Sequence, residues 1–78
     1  MIMEKLKGIL HKVTPDFDVT KLSEQTNLRE DLGMDSLAMM LVSMEIEDAF
    51  SFHFDEPVDF KTVGDVVKYL KETRGIED

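Results

Sequence analysis

Ser36 is the first residue to consider for covalent chemistry, together with the histidines His11 and His53. A nucleophilic serine needs a general base within hydrogen-bond reach, and neither histidine is close to Ser36 in the sequence. The G-x-S-x-G turn that exposes the serine of many hydrolases does not occur. Serine at the start of a helix commonly has only a structural role. We therefore predict no catalytic residue, and a protein that is not an enzyme.

Sites built on cysteine or on a metal are also disfavoured. The chain has no cysteine, which excludes disulfides and thiolate ligands. Asp16 and Asp18 begin a stretch with the spacing of a calcium-binding EF-hand loop. Lys21 replaces the required glycine, however, and Asn27 replaces the bidentate glutamate. We therefore predict no metal site.

Length and charge indicate a small acidic binding domain. The 78 residues have a net charge of −8, and we expect residues 1–78 to form a single domain. Nine acidic residues and no lysine or arginine lie between Glu30 and Asp59. This charge disfavours nucleic acid and favours partners with basic patches. Because no apolar run approaches about 20 residues, we expect no membrane insertion. The expected state is a cytoplasmic monomer.

The spacing of apolar residues predicts a helical protein. The first helix covers about Ile2–Val13, and a long loop, Pro15–Met34, leads to a second helix over about Ser36–Phe50. A short third helix is expected over Glu56–Phe60, and a fourth over Val63 to about Glu72. The predicted fold class is all-α: a small four-helix bundle with three longer helices and one short third helix.

Local signals support these boundaries. Asp35 is a natural N-cap for the second helix, and Thr62 with Asp65 resembles a capping box for the fourth. Gly33 suits a tight turn and Gly75 a helix end. Apolar residues in the long loop should anchor it to the helices: Phe17, Leu22, Leu28 and Leu32.

The second helix has two apolar faces when its residues are placed at about 100° intervals. One face contains Met39, Val42, Ser43, Ile46 and Phe50. The other contains Leu37, Met40, Leu41 and Met44, flanked by Glu47 and Asp48. A small bundle has little protein with which to cover both faces. An exposed apolar patch with a charged rim is typical of an interaction site.

Three stretches of this sequence resemble acyl carrier proteins. Residues Glu30–Leu37 read Glu-Asp-Leu-Gly-Met-Asp-Ser-Leu and resemble the family signature, in which serine follows aspartate in an Asp-Ser-Leu triplet. Residues 45–50 resemble the acidic end of the family's second helix, and residues 62–70 resemble the start of its last helix. The resemblance covers essentially the whole chain and indicates a stand-alone, type II carrier.

The resemblance implies that Ser36 is the covalent attachment site of 4′-phosphopantetheine from coenzyme A, the cofactor whose thiol carries acyl groups as thioesters. This fits a chain with no thiol of its own and a serine at a helix N-terminus, where free amides favour a phosphate. The resemblance also implies that Asp35 helps the transferring synthase to bind its Mg²⁺. The Asp35 charge opposes the phosphate, which agrees with a separate role.

The implied partners are a phosphopantetheinyl transferase (the holo-carrier synthase) and acyl-transferring and elongating enzymes with basic patches. By the same resemblance, these partners would contact Asp35, Leu37, Met40, Leu41, Met44, Glu47 and Asp48. The family's interior can enclose an acyl chain, and the candidate lining residues here are Met39, Ser43, Ile46, Phe54 and Phe60.

Two positions depart from the fatty-acid carriers, which commonly have acidic residues where this chain has Ala38 and Leu41. The centre of the expected docking face is therefore more apolar than usual, and a polyketide-like pathway stands beside fatty-acid biosynthesis. Two further alternatives are a carrier of aminoacyl or peptidyl cargo and a helical interaction module without a prosthetic group.

Overall fold

The computed structural model describes residues 2–54 and 60–77. Helix α1 (Ile2–Val13) is followed by a short 3-10 helix (Val19–Lys21), then by α2 (Ser36–Phe50) and α3 (Val63–Lys68). A π-helical turn (Tyr69–Thr73) extends α3. The described residues contain no β-strand, and the predicted all-α class is confirmed. Both ends of the first two predicted helices are also confirmed. The predicted third helix, Glu56–Phe60, lies outside the described residues except for Phe60.

Helix α1 is amphipathic and packs on α2. Its apolar stripe, at spacings of three and four residues, is buried. The stripe consists of Ile2, Leu6, Ile9 and Leu10. Charged groups add contacts at the edges of this interface. The Lys12 ammonium lies 2.9 Å from a Glu45 carboxylate oxygen, and Lys5 lies 5.1 Å from the centre of the Phe50 ring. The hydrogen bond to Glu45 raises the pKa of Lys12.

The long connection between α1 and α2 is held to the start of α3 by main-chain hydrogen bonds. Their donors and acceptors are Leu28 N to Lys61 O at 2.8 Å, Val63 N to Thr26 O at 3.0 Å, and Gly64 N to Glu24 O at 2.7 Å. Asn27 and Thr62 form an isolated antiparallel bridge in the same place. These bonds satisfy main-chain groups that a loop would otherwise expose or bury without partners. The connection is thus a fixed part of the fold.

The core lies between the three helices and this connection. The predicted loop anchors pack against it: Leu22 and Leu28 are buried, and Phe17 and Leu32 are half-buried. The predicted stripe of α3 and the following turn is buried at Val63, Val66, Val67 and Leu70. Apolar residues from segments far apart in the sequence therefore form a single core, and one side of α2 packs against it.

The predicted caps of the last helix are present. Thr62 Oγ1 accepts from Asp65 N, and the Asp65 carboxylate accepts from Thr62 N and from Lys61 N. At the other end, Gly75 has φ of +66° and Ile76 N donates to Leu70 O at 3.0 Å. This bond spans one residue more than the usual glycine-terminated helix end, as expected after a π-helical turn.

Candidate functional site

Ser36 is the first residue of α2, and its side chain is exposed. Gly33, with φ of +70°, turns the chain, and buried Met34 fixes the turn to the core. Asp35 then takes an extended conformation, and its carboxylate accepts a hydrogen bond of 2.9 Å from Ala38 N. The predicted N-cap is therefore confirmed. The cap fixes the direction in which α2 begins and so places the Ser36 hydroxyl at the surface.

A compact turn before Gly33 supports this arrangement. Asn27 Oδ1 accepts from the amides of Arg29 and Glu30, at 2.9 and 2.8 Å. The Asp31 carboxylate accepts in return from Asn27 N at 2.8 Å. This reciprocal pattern resembles a helix cap applied to a single turn. This turn was not predicted, although an asparagine four residues before an aspartate is a signal for it.

One apolar face of α2 is open to solvent, as the two-faced pattern predicts. This outer face consists of Leu37 (63% exposed), Met40 (57%), Leu41 (46%) and Met44 (54%). The opposite side packs into the core through Met39, Val42 and Ile46. Four neighbouring apolar side chains exposed at this level form a patch of the kind that partners bind. Ser36 lies at one end of the patch, because residues 36, 40 and 44 share a side of the helix.

The acidic residues predicted to contact partners beside the outer face are Asp35, Glu47 and Asp48, and they are not all available at the surface. Asp35 and Asp48 are exposed. The Glu47 side chain is only 20% exposed, and its carboxylate accepts from Phe54 N at 2.7 Å. It also lies 3.5 Å from His53 Nδ1. Glu47 therefore stabilises the turn after α2, a role that the sequence did not indicate.

The five candidate lining residues of the acyl pocket occupy different depths. Met39, Ile46 and Phe60 are buried, whereas Ser43 and Phe54 are half-buried. Ser43 Oγ donates to Met39 O at 3.0 Å, which satisfies its hydroxyl within the helix. That these residues line one cavity remains a prediction.

Aromatic rings join two of these residues to the end of α3. The Phe54 and Phe60 ring centres are 6.1 Å apart, and Tyr69 lies 5.3 and 5.7 Å from them. Phe60 and Tyr69 also border an open recess of about 400 Å³. Its other lining residues are Asp65, Lys68, Glu72 and Thr73. This recess shares only Phe60 with the predicted acyl pocket.

The residues around Ser36 fit a covalent phosphate-linked group. The hydroxyl is exposed, and the amides of the first turn have no acceptor within the helix beyond the one that Asp35 provides. A bound group at this position would extend into solvent and displace nothing from the core. Among the described residues, no cluster of histidine and carboxylate side chains is arranged to hold a metal ion.

The sequence model of a family described as "Phosphopantetheine attachment site" matches residues 4–70, a span that includes Ser36. Together with the relatives that follow, this match shows that the chain belongs to the acyl carrier protein family. The resemblance seen in the sequence is thereby confirmed, and so is the cofactor that it implies, covalently attached 4′-phosphopantetheine. Within the part of the carrier that the structure describes, no helix is long and apolar enough to cross a membrane.

Relatives of the carrier cover most of its length. An acyl carrier protein of Phytoplasma australiense is 35% identical over 74 residues, which cover 92% of this chain and 96% of the relative. One from Lactobacillus acidophilus is also 35% identical, with 95% of this chain and 94% of the relative covered. One from Streptococcus pneumoniae is 49% identical over 43 residues, 55% of this chain and 58% of the relative.

Proposed function

We propose that this protein carries acyl intermediates as thioesters on a 4′-phosphopantetheine arm attached to Ser36, in fatty-acid biosynthesis or a related polyketide-like pathway. One observation carries the assignment to Ser36. Its hydroxyl is exposed at the start of α2, within the span matched by the phosphopantetheine attachment family. The protein itself catalyses no step, and its single domain acts as a monomer in the cytoplasm.

The residues of the chain present the attachment point and keep it rigid. The Asp35 cap fixes the first turn of α2, so the Ser36 main chain keeps one position relative to the outer face. When bound, the arm supplies the thiol that forms the thioester. The chain has no cysteine that could compete for the cargo.

The outer face and its acidic neighbours are the proposed docking surface for a phosphopantetheinyl transferase and for acyl-transferring and elongating enzymes. Negative charge at Asp35 and Asp48 attracts basic patches during encounter. The exposed leucines and methionines then supply apolar contact area beside Ser36. Glu47 contributes to docking through the turn after α2, which its hydrogen bond from Phe54 N stabilises. An acyl chain is proposed to enter between Met39, Ser43, Ile46, Phe54 and Phe60.

Intact mass tests the attachment site. Incubation of the purified protein with coenzyme A and a phosphopantetheinyl transferase should add roughly 340 Da, the mass of the arm. Ser36→Ala should abolish this gain while keeping the helical circular dichroism of the parent. Ser43→Ala, on the same helix, is the matched control and should still gain the arm. If Ser36→Ala gains the same mass, or if the parent never does, the proposal is wrong.

A further inference from the structure

Two methionine side chains on the outer face are open to solvent beside Ser36. Met40 and Met44 are 57% and 54% exposed. They follow Ser36 at intervals of four residues, so the three side chains form one stripe along α2. Leu37 and Leu41 lie beside this stripe on the same exposed face.

Two other methionines of the chain are protected. Met34 is 4% exposed and Met39 is 7% exposed, and both belong to the core. The chain has six methionines and no cysteine, so thioethers are the only sulfur groups in the polypeptide. A dissolved oxidant therefore reaches Met40 and Met44 readily, whereas Met34 and Met39 react only when the core opens.

We propose that Met40 and Met44 form a reversible oxidation site that controls partner docking, an inference that rests on the proposed function of the outer face. The oxidant is a hydroperoxide. One peroxide oxygen is transferred to the thioether sulfur as the O–O bond breaks, and hydrogen peroxide leaves as water. The sulfur loses two electrons and becomes a sulfoxide, which methionine sulfoxide reductases return to the thioether.

Oxidation changes the docking surface without changing the fold. A sulfoxide is polar and accepts hydrogen bonds strongly, so a partner that covers it must strip water from it. Because Met40 and Met44 point away from the core, their oxidation removes no core contact. Partner binding should therefore weaken while helix content and thermal stability stay the same.

The first measurement maps the oxidation. The protein with an unmodified Ser36 is used, because the thiol of the arm would itself consume peroxide. After mild treatment with hydrogen peroxide and desalting, fragment-ion sequencing should place the added oxygen on Met40 and Met44. Their oxidation should be at least about tenfold faster than that of Met34 and Met39, and unfolding in denaturant should abolish this difference. Equal rates in the folded protein would overturn the proposal.

The second measurement tests docking. The oxidised protein is given to a phosphopantetheinyl transferase, and kcat/KM for arm transfer should fall about tenfold relative to untreated protein. Methionine sulfoxide reductases should restore it. The variant M40L/M44L keeps an apolar face and should become insensitive to peroxide. Met3→Leu, on α1, is the matched control and should remain sensitive.

The outcomes separate this inference from the proposed function. Unchanged kcat/KM after complete oxidation of Met40 and Met44 would overturn the inference alone. The same applies if M40L/M44L loses as much activity on peroxide treatment as the parent. If untreated protein accepts no arm, the proposed function fails, and the inference fails with it.

Discussion

The amide of Gly64 donates a 2.7 Å hydrogen bond to the carbonyl oxygen of Glu24, and the two residues leave no room for a side chain between them. A Cβ at position 64 would lie 2.8 Å from Glu24 O and 3.2 Å from Glu24 Cβ. The first distance is a clash with backbone, which cannot rotate away. This contact fixes the long connection to the start of α3.

Gly64→Ala should therefore destabilise the protein. Displacing the backbone costs about 1–3 kcal/mol, which exceeds the helix-propensity gain of roughly 0.5–1 kcal/mol from alanine. We expect the free energy of unfolding to fall by about 1–2 kcal/mol in urea denaturation. Gly8→Ala is the matched control, because a Cβ at that exposed position in α1 meets nothing within 4 Å. It should raise stability by about 0.5–1 kcal/mol. A stabilised Gly64→Ala would contradict this close contact between Gly64 and Glu24.

Substitutions at Asp35 should separate its cap from its proposed role in docking. Asparagine caps a helix about as well as aspartate, so Asp35→Asn should change the free energy of unfolding by less than about 0.5 kcal/mol. Asp35→Ala removes the acceptor for Ala38 N and should cost about 1 kcal/mol. Both variants lose the charge beside Ser36. We expect each to lower kcat/KM for arm transfer by about tenfold.

Measuring the free energy of unfolding and kcat/KM for arm transfer on the same samples separates the capping role of Asp35 from its docking role. If Asp35→Asn is fully active and only the destabilised Asp35→Ala accepts the arm slowly, Asp35 has a structural role only.

An acyl chain inside the protein should be detected at Met39 but not at Met40. These neighbours lie on opposite sides of α2, at 7% and 57% exposure. Loading the holo-protein with an octanoyl group should shift the methyl resonances of Met39 and Ile46 and leave that of Met40 close to its unacylated position. Acetyl loading is the control for the thioester itself. Unchanged Met39 and Ile46 shifts would refute the acyl pocket.

The capping box of α3 should contribute stability that depends on pH. Hydrogen bonds from the amides of Thr62 and Lys61 lower the pKa of Asp65 below its ordinary value. Because the carboxyl is more acidic in the folded state, its contribution is fully present above the unfolded-state pKa. It is lost as pH falls through the folded-state pKa.

Asp65→Asn should therefore lower the Tm at pH 7, and the difference from the parent should shrink toward pH 2 to 3, with about 3.9 as the unfolded-state reference. Asp16→Asn makes the same change of net charge outside the capping box and is the control. A Tm difference for Asp65→Asn that is independent of pH would show that the ionised carboxylate is not the stabilising form.

The boundaries of α1 and α2 were predictable because they depend on local groups. Pro15, which has no amide hydrogen to donate, lies two residues after the end of α1, and Asp35 accepts from Ala38 N at the start of α2. Both signals lie within one turn of a helix end. The capping box of Thr62 and Asp65 is equally local. Ser36 could be singled out because the Asp-Ser-Leu triplet and its surroundings lie in one continuous stretch of sequence.

The position of Glu47 was not predictable in the same way. On a helical wheel it belongs with Asp48 at the edge of the outer face, yet its carboxylate turns to the amide of Phe54. That amide is available only because the chain reverses after Ser51, whose φ is +57°. Helix periodicity describes α2 but not the path that follows it.

The ends of α1 and α2, the two apolar faces of α2 and the serine at its start can all be inferred from the order of the residues. Which of those faces is covered depends on the packing of the folded chain. That packing also brings Glu24 to Gly64, forty residues along the chain. Caps and periodicity come from neighbours within a few residues. Burial and main-chain pairing between distant segments depend on how all the elements share one small core.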